Sequence, residues 1–188
     1  MRLILFLILT CLLKQGFAQD DVKIIWHKDS LLKWFDFQGP IDKASTFSAF
    51  AYYGETYHYN WRSVNNEYLL TFTTDAYFVP SKSWVKAGME SPNLLTHEQM
   101  HFDIAAFFAR ILLSDLNKHT YTAAYKTEVE QIYQDWKQKR QEMEELYDTQ
   151  TDHSKNKLMQ VRWELYVYNI LKEPCSYEDA KSREPTLK

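Results

Sequence analysis

Three residues within five positions could together carry out hydrolytic chemistry: His97, Glu98 and His101, in the string H-E-Q-M-H. Residues four apart lie on one face of an α-helix, so the two imidazoles could bind one Zn²⁺. The carboxylate beside the first histidine could then take a proton from a water molecule at the metal. The pentad therefore predicts the centre of a zinc hydrolase.

The residues around the pentad predict the helix that such a site requires. From His97, the residues at helical spacing are His101, Ile104, Phe108 and Ile111. Ser91 is a suitable N-cap before Pro92, and the pattern ends near Asn117. In the alternative interpretation, the histidines are ordinary core residues that bond to neighbours. Glu98 favours the metal site, because a carboxylate beside a buried face needs a cation.

The chain before this helix predicts a mostly antiparallel sheet. Four segments are rich in aromatic and β-branched residues: 22–26, 46–53, 57–61 and 67–79. Pairs typical of turns separate them: Gly39-Pro40, Gly54-Glu55 and Asn65-Asn66. Residues 81–85 predict one more short strand or edge segment.

Two further long helices are predicted after the active-site helix, over residues 120–147 and 154–172. The apolar side of the last helix consists of Leu158, Val161, Leu165 and Tyr168. The charged run 137–145 predicts a solvated helix face, and the polar tail from Glu173 a loosely held end. The predicted fold class is therefore α+β.

Residues 1–18 resemble a secretory signal peptide, with an apolar run over 3–13 and small residues before position 19. A lipoprotein anchored at Cys11 is the alternative. We expect a secreted or periplasmic protein with one domain over residues 19–188. The apolar run is too short to span a membrane, and no later stretch approaches that length. If Cys11 leaves with the leader, Cys175 is the only cysteine, which excludes an internal disulfide.

Composition argues against two other classes of function. A net charge of -3 argues against a nucleic-acid-binding surface, which is normally basic. The chain has 4 glycines and neither a phosphate-binding loop nor a dinucleotide-binding fingerprint, so nucleotide chemistry is not expected.

A catalytic zinc ion usually has three protein ligands, so the pentad needs one more donor. His153 is the preferred candidate, because it follows the second long helix in a loop that can fold back over the first. The alternatives are a carboxylate of that helix, Glu128 or Glu130, and Asp148, which could instead orient a ligand. Spacing alone does not decide between them.

Several motifs spread over most of the chain resemble a bacterial family catalogued both as secreted zinc-dependent proteases and as a domain of unknown function. These motifs are Trp26, residues 32–34 and 36–39, Ser83-Trp84-Val85, the string L-L-T-H-E-Q-M-H-F-D-I at 94–104, Tyr147-Asp148 with Thr151 and His153-Ser154, and Gln160 with Trp163. The resemblance implies a zincin-like fold with His97 and His101 as ligands and Glu98 as general base. It also implies that the segment from Tyr147 to His153 completes the site.

The predicted mechanism is hydrolysis of a peptide or protein substrate by a zinc metallopeptidase. Zn²⁺ held by His97, His101 and His153 would acidify a water molecule, and Glu98 would take its proton and pass it to the leaving amine. Tyr147 is the candidate donor to the oxyanion, although it could equally be a core residue. Ser83-Trp84-Val85 could form an edge along which a peptide binds.

Two other functions compete with proteolysis. The protein could be a non-catalytic exported zinc-binding protein, or a zinc hydrolase of a non-peptide amide such as a cell-wall bond. The presence of Glu98 argues against the first, because a structural zinc site needs no base.

Overall fold

The computed structural model describes residues 21–29, 31–65 and 67–186, so the predicted leader lies outside the described residues. The elements in chain order are β1 Ile24–Ile25, β2 Ala49–Phe50, β3 Tyr53–Val64, β4 Glu67–Phe78, β5 Trp84–Val85, α1 Pro92–Lys118, α2 Tyr125–Thr151, α3 Lys157–Lys172 and α4 Tyr177–Ser182. This order confirms the predicted α+β class, in which an antiparallel sheet precedes long helices.

The main sheet has three antiparallel strands in the order β1-β4-β3, and a hairpin of two 12-residue strands forms most of it. The prediction of a turn at Gly54-Glu55 is wrong, because β3 runs through both residues. A side-chain carbon at Gly54 would lie 3.2 Å from the hydroxyl oxygen of Tyr77. The glycine therefore lets the cross-strand tyrosine lie over the strand.

A second, two-stranded sheet lies next to the first. Its strands β2 and β5 pair antiparallel, with Ala49 opposite Val85 and Phe50 opposite Trp84. Within the described residues, β2 has no strand partner on its other edge.

Helix α1 is the central element, because it packs against the sheet on one side and against α2 and α3 on the other. It begins as predicted: the side chain of Ser91 accepts a hydrogen bond from the backbone N–H of Leu94, and Pro92 is its first residue. Toward the sheet it presents Phe102 and small residues such as Ala105 and Ala109, which pack with Phe78. The small side chains allow the helix to approach the strands closely.

Helix α3 is buried on a different side from the predicted one. Leu158, Val161, Leu165 and Tyr168 are 59–65% exposed. The buried side contains Met159, Gln160, Trp163, Tyr166, Val167 and Ile170. Both sides of the helix are apolar, and the side with the larger aromatic rings forms the core.

Two other expectations need correction. The charged run of α2 is only partly solvated, because Arg140 and Glu144 within it are buried. The tail is not loose throughout, since it contains α4 with buried Tyr177 and Ala180. The carbonyl of Ala180 accepts a hydrogen bond from the hydroxyl of Tyr166 at 3.0 Å.

Among the described residues, no helix combines the length and apolarity that a membrane crossing requires.

Candidate metal centre

Two histidines of α1 and one carboxylate of α2 converge on a point. The Nε2 atoms of His97 and His101 each lie 3.1 Å from Oδ1 of Asp148. One ligand atom from each residue can be chosen so that all three lie within 4.8 Å of one another. The spacing of four in α1 places both imidazoles on one face, and the end of α2 brings the carboxylate to that face.

The separations fit the requirements of a small cation. Zinc bonds of about 2.0–2.1 Å in a tetrahedron place neighbouring ligand atoms roughly 3.3 Å apart, close to the observed 3.1 Å. Two imidazole nitrogens and one carboxylate oxygen are also a donor set that suits zinc. The residues present therefore fit a metal ion of this kind.

Aromatic packing orients the two imidazoles. His97 stacks on Tyr147 with ring centroids 4.7 Å apart, and His101 stacks on Tyr53 at 5.5 Å. The Nδ1 atoms of both histidines are buried and have no hydrogen-bond partner among the described residues. The rings are thus held by packing, and their Nε2 atoms point toward the carboxylate.

Burial and proximity shift the pKa values of this cluster. Burial lowers the pKa of His97, which favours the neutral form that can bind a metal. Burial also lowers the pKa of His101, but the Asp148 carboxylate outweighs it and the net shift is upward. Although burial alone would raise it, the pKa of Asp148 is held well below its usual range by the two imidazoles. Asp148 is therefore ionised at neutral pH.

Glu98 supplies a carboxyl group next to this cluster. It is only 6% exposed, and burial raises its pKa to about 7. The imidazole of His101 and the backbone N–H of Ala51 oppose this rise, while the charge of Asp148 adds to it. A carboxyl group with a pKa near neutrality can both accept and release a proton at working pH.

His153 lies at the edge of the cluster. Its Nδ1 atom is 3.7 Å from Oδ1 of Asp148, and its side chain is 45% exposed. It follows Asp152 in a turn where residues 152–154 all have positive φ. The structure therefore brings His153 near the predicted site, but Asp148 occupies the third position of the compact group.

The other predicted ligands lie elsewhere. Glu128 accepts a hydrogen bond from the backbone N–H of Thr122 at 3.1 Å, and Glu130 accepts one from the hydroxyl of Tyr57 at 3.0 Å. At 1.5 Å per residue, Glu130 is about 27 Å along the helix from Asp148. These carboxylates stabilise the far end of α2.

Tyr147 packs against the imidazole of His97 on the buried side of the site. The side chain is fully buried, and its hydroxyl lies 3.5 Å from the backbone oxygen of His97. Burial raises its pKa far above the usual value, so it stays protonated. This position differs from that expected of an oxyanion donor, because the hydroxyl faces a backbone carbonyl and not open space.

A cleft of about 700 Å³ opens over the cluster. Its lining includes His97, Glu98, His101, Asp148 and His153, together with residues 46–51. The edge of β2 that has no strand partner within the described residues thus borders the cleft. The expected edge segment, Ser83-Trp84-Val85, lies behind β2 as its partner strand and does not line the cleft.

A hydrogen-bond chain ties the N-terminal segment to α1 near the site. The indole N–H of Trp26 and the side-chain amide of Gln99 both donate to Oδ1 of Asp103, at 2.7 and 2.8 Å. The backbone N–H of Leu32 donates to Oε1 of Gln99 at 2.8 Å. Asp103 therefore anchors the N-terminal segment to α1 close to His101.

One buried charged cluster was not expected from the sequence. Arg140 on α2 places Nε 2.6 Å from Oε2 of Glu55 on β3, and its Nη1 lies 2.7 Å from both carboxylate oxygens of Glu144. The spacing of four between Arg140 and Glu144 was visible in the sequence, but Glu55 is distant along the chain. The cluster links α2 to the sheet at Arg140, about two helical turns before Asp148.

Comparison with known proteins supports part of the predicted resemblance. Residues 81–154 match a family described as "Bacterial protein of unknown function (DUF922)". This range contains His97, Glu98, His101, Asp148 and His153. No curated protein and no solved structure matches the chain. The resemblance to a bacterial family of unknown function is thus confirmed over these residues.

Proposed function

We propose that this protein is a zinc-dependent metallopeptidase whose metal is held by His97, His101 and Asp148. The observation that carries the proposal is the convergence of two Nε2 atoms and one carboxylate oxygen beside a buried glutamate, at the floor of an open cleft. A purely structural metal site has no need for a base or for an open side. Glu98 and the cleft provide both features.

Asp148 replaces His153 as the third ligand in this proposal. Asp148 is ionised and equidistant from the two imidazole nitrogens, whereas His153 is half-exposed and lies beyond the carboxylate. His153 remains close enough to donate a hydrogen bond to a group in the cleft.

A bound zinc ion would supply Lewis acidity toward a carbonyl oxygen and an attacking water molecule. Glu98 would take a proton from the attacking water as its oxygen bonds to the carbonyl carbon, and would deliver that proton to the amine nitrogen as the C–N bond breaks. The raised pKa of its carboxyl group, about 7 without a cation, suits both transfers. Tyr147 and Tyr53 keep the imidazoles in place through their stacking contacts.

The edge of β2 provides a surface for an extended substrate. A peptide added to this edge would make main-chain hydrogen bonds and would run past Glu98, which is close to the backbone N–H of Ala51. This arrangement favours a peptide over a compact amide as the substrate. We further propose that the protein is exported through the predicted leader at residues 1–18.

The proposal is tested by zinc content and hydrolysis measured on the same preparations. The unaltered protein should bind one zinc ion and cleave an unfolded protein such as casein, and a chelator should abolish cleavage. Glu98→Gln should retain the zinc and lose at least about 100-fold in kcat. His97→Ala should lose both, whereas His58→Ala, at an exposed position of β3, should lose neither. Unchanged cleavage by the Glu98→Gln protein would refute the mechanism.

A further inference from the structure

We infer that the cleft selects peptides that carry a large apolar side chain, above all an aromatic one, beside the bond presented to Glu98. The inference rests on the proposed function and names its substrate class. Three apolar side chains that line the cleft are half-exposed: Phe47 at 49%, Phe50 at 43% and Met89 at 47%. The same cleft contains Glu98 and the proposed metal ligands, which are His97, His101 and Asp148.

These side chains form a surface that is already in place. Phe50 stacks on the indole of Trp84 with ring centroids 6.2 Å apart and an interplanar angle of 28°. Phe47 contacts the imidazole of His153 edge-on at 5.3 Å, which joins the loop before β2 to the turn after α2. Large apolar groups held at a cleft wall are typical of a ligand site, because a ligand removes them from water.

The alternation of side chains along β2 relates this surface to an extended peptide. Ala49 and Ala51 are buried, whereas Phe50 between them is exposed. A peptide strand added to the free edge of β2 would alternate with the same period of two. Its side chains on the face of Phe50 would therefore lie beside that ring, and every second side chain would be selected.

The charges of the lining also favour an apolar partner. Among the described residues, Lys155 is the only lysine or arginine that lines the cleft, and its ammonium group lies 3.4 Å from a carboxylate oxygen of Asp152. Apart from Lys155, Glu98, Asp148 and the three histidines, the lining side chains are uncharged. Away from the metal site, an acidic side chain would thus find only Lys155, which already pairs with Asp152, whereas an apolar one would find Phe47, Phe50 and Met89.

Binding to the inactive Glu98→Gln protein tests the inference without relying on turnover. Zinc-loaded Glu98→Gln protein is titrated calorimetrically with blocked hexapeptides that are identical except for Phe, Leu, Ala or Asp at one position. The Phe and Leu peptides should bind at least about tenfold more tightly than the Ala and Asp peptides. Adding Phe47→Ala and Phe50→Ala should reduce this ratio to about threefold or less.

Phe35→Ala is the matched control, because Phe35 is 77% exposed and lies outside the cleft lining. It should leave the preference unchanged. Circular dichroism checks folding, and Met89→Ala tests the same wall if the double variant does not fold. Equal binding of the Phe and Asp peptides would overturn the inference, as would a preference that persists in a folded cleft variant.

Cleavage of the same peptides by the unaltered protein separates this inference from the proposed function. A binding preference without any cleavage would refute the proposed hydrolysis and leave the ligand class intact. Cleavage without a preference would overturn the inference alone.

Discussion

Replacing Asp148 by Asn should weaken zinc binding far more than replacing His153 by Ala. Four-ligand structural zinc sites bind with about 10–16 kcal/mol, so one ligand contributes roughly 3 kcal/mol, or about 100-fold in Kd. Oδ1 of Asp148 lies 3.1 Å from the Nε2 atoms of both imidazoles. The zinc affinity of the Asp148→Asn protein should therefore fall by about this factor. His153 lies 3.7 Å from the carboxylate of Asp148 and is half-exposed. His153→Ala should therefore reduce the zinc affinity by about tenfold or less.

Competition with a chromophoric chelator at pH 7.5 measures both zinc affinities. Asp148→Asn preserves the shape of the side chain, which limits other effects on the fold. His58→Ala, in which an exposed histidine of β3 is removed, controls for nonspecific zinc binding. If His153→Ala weakens binding more than Asp148→Asn does, the third ligand is His153 and the reasoning from the distances fails.

Three further predictions concern pH and stability. The proposed hydrolysis requires ionised Glu98, so kcat/KM should fall as pH decreases through the pKa of its carboxyl group. Because a nearby cation lowers that pKa, the acid limb of a pH-rate profile should lie at or below about 7. A limb well above pH 7 would count against the assignment. Arg140→Met leaves two carboxylates buried without a cation and should reduce the free energy of unfolding by about 3–5 kcal/mol in urea titrations, whereas exposed Arg62→Met should change it by less than about 0.5 kcal/mol. Gly39→Ala would place a side-chain carbon 2.8–2.9 Å from backbone atoms of residues 81–83 and should cost about 1–3 kcal/mol by thermal denaturation; an unchanged midpoint would show that the backbone yields there.

Local patterns predicted helix α1 well, whereas α2 begins and ends four or five residues later than predicted. The N-cap at Ser91 and the stripe through Phe108 specified α1 to within one residue at its C-terminal end, because capping and helical periodicity are short-range properties. Predictions failed where a residue has a distant partner. Gly54 resembles a turn residue, but Tyr77 on the neighbouring strand determines its role. Leu158 and Leu165 fit a core stripe, but the opposite side of α3 forms the core.

The sequence by itself determined the local chemistry: two imidazoles on one helix face, a carboxylate between them in the chain, and the class of metal that such donors bind. Only the tertiary structure decided which distant side chain joins them, because Asp148 and His153 are five residues apart and spacing cannot show which one faces α1. It also decided which strand edge borders the cleft, since the pairing of β2 with β5 depends on contacts between remote segments. Interactions within one or two helical turns are encoded in residue order, whereas a site assembled from two helices and a strand depends on how the whole chain packs.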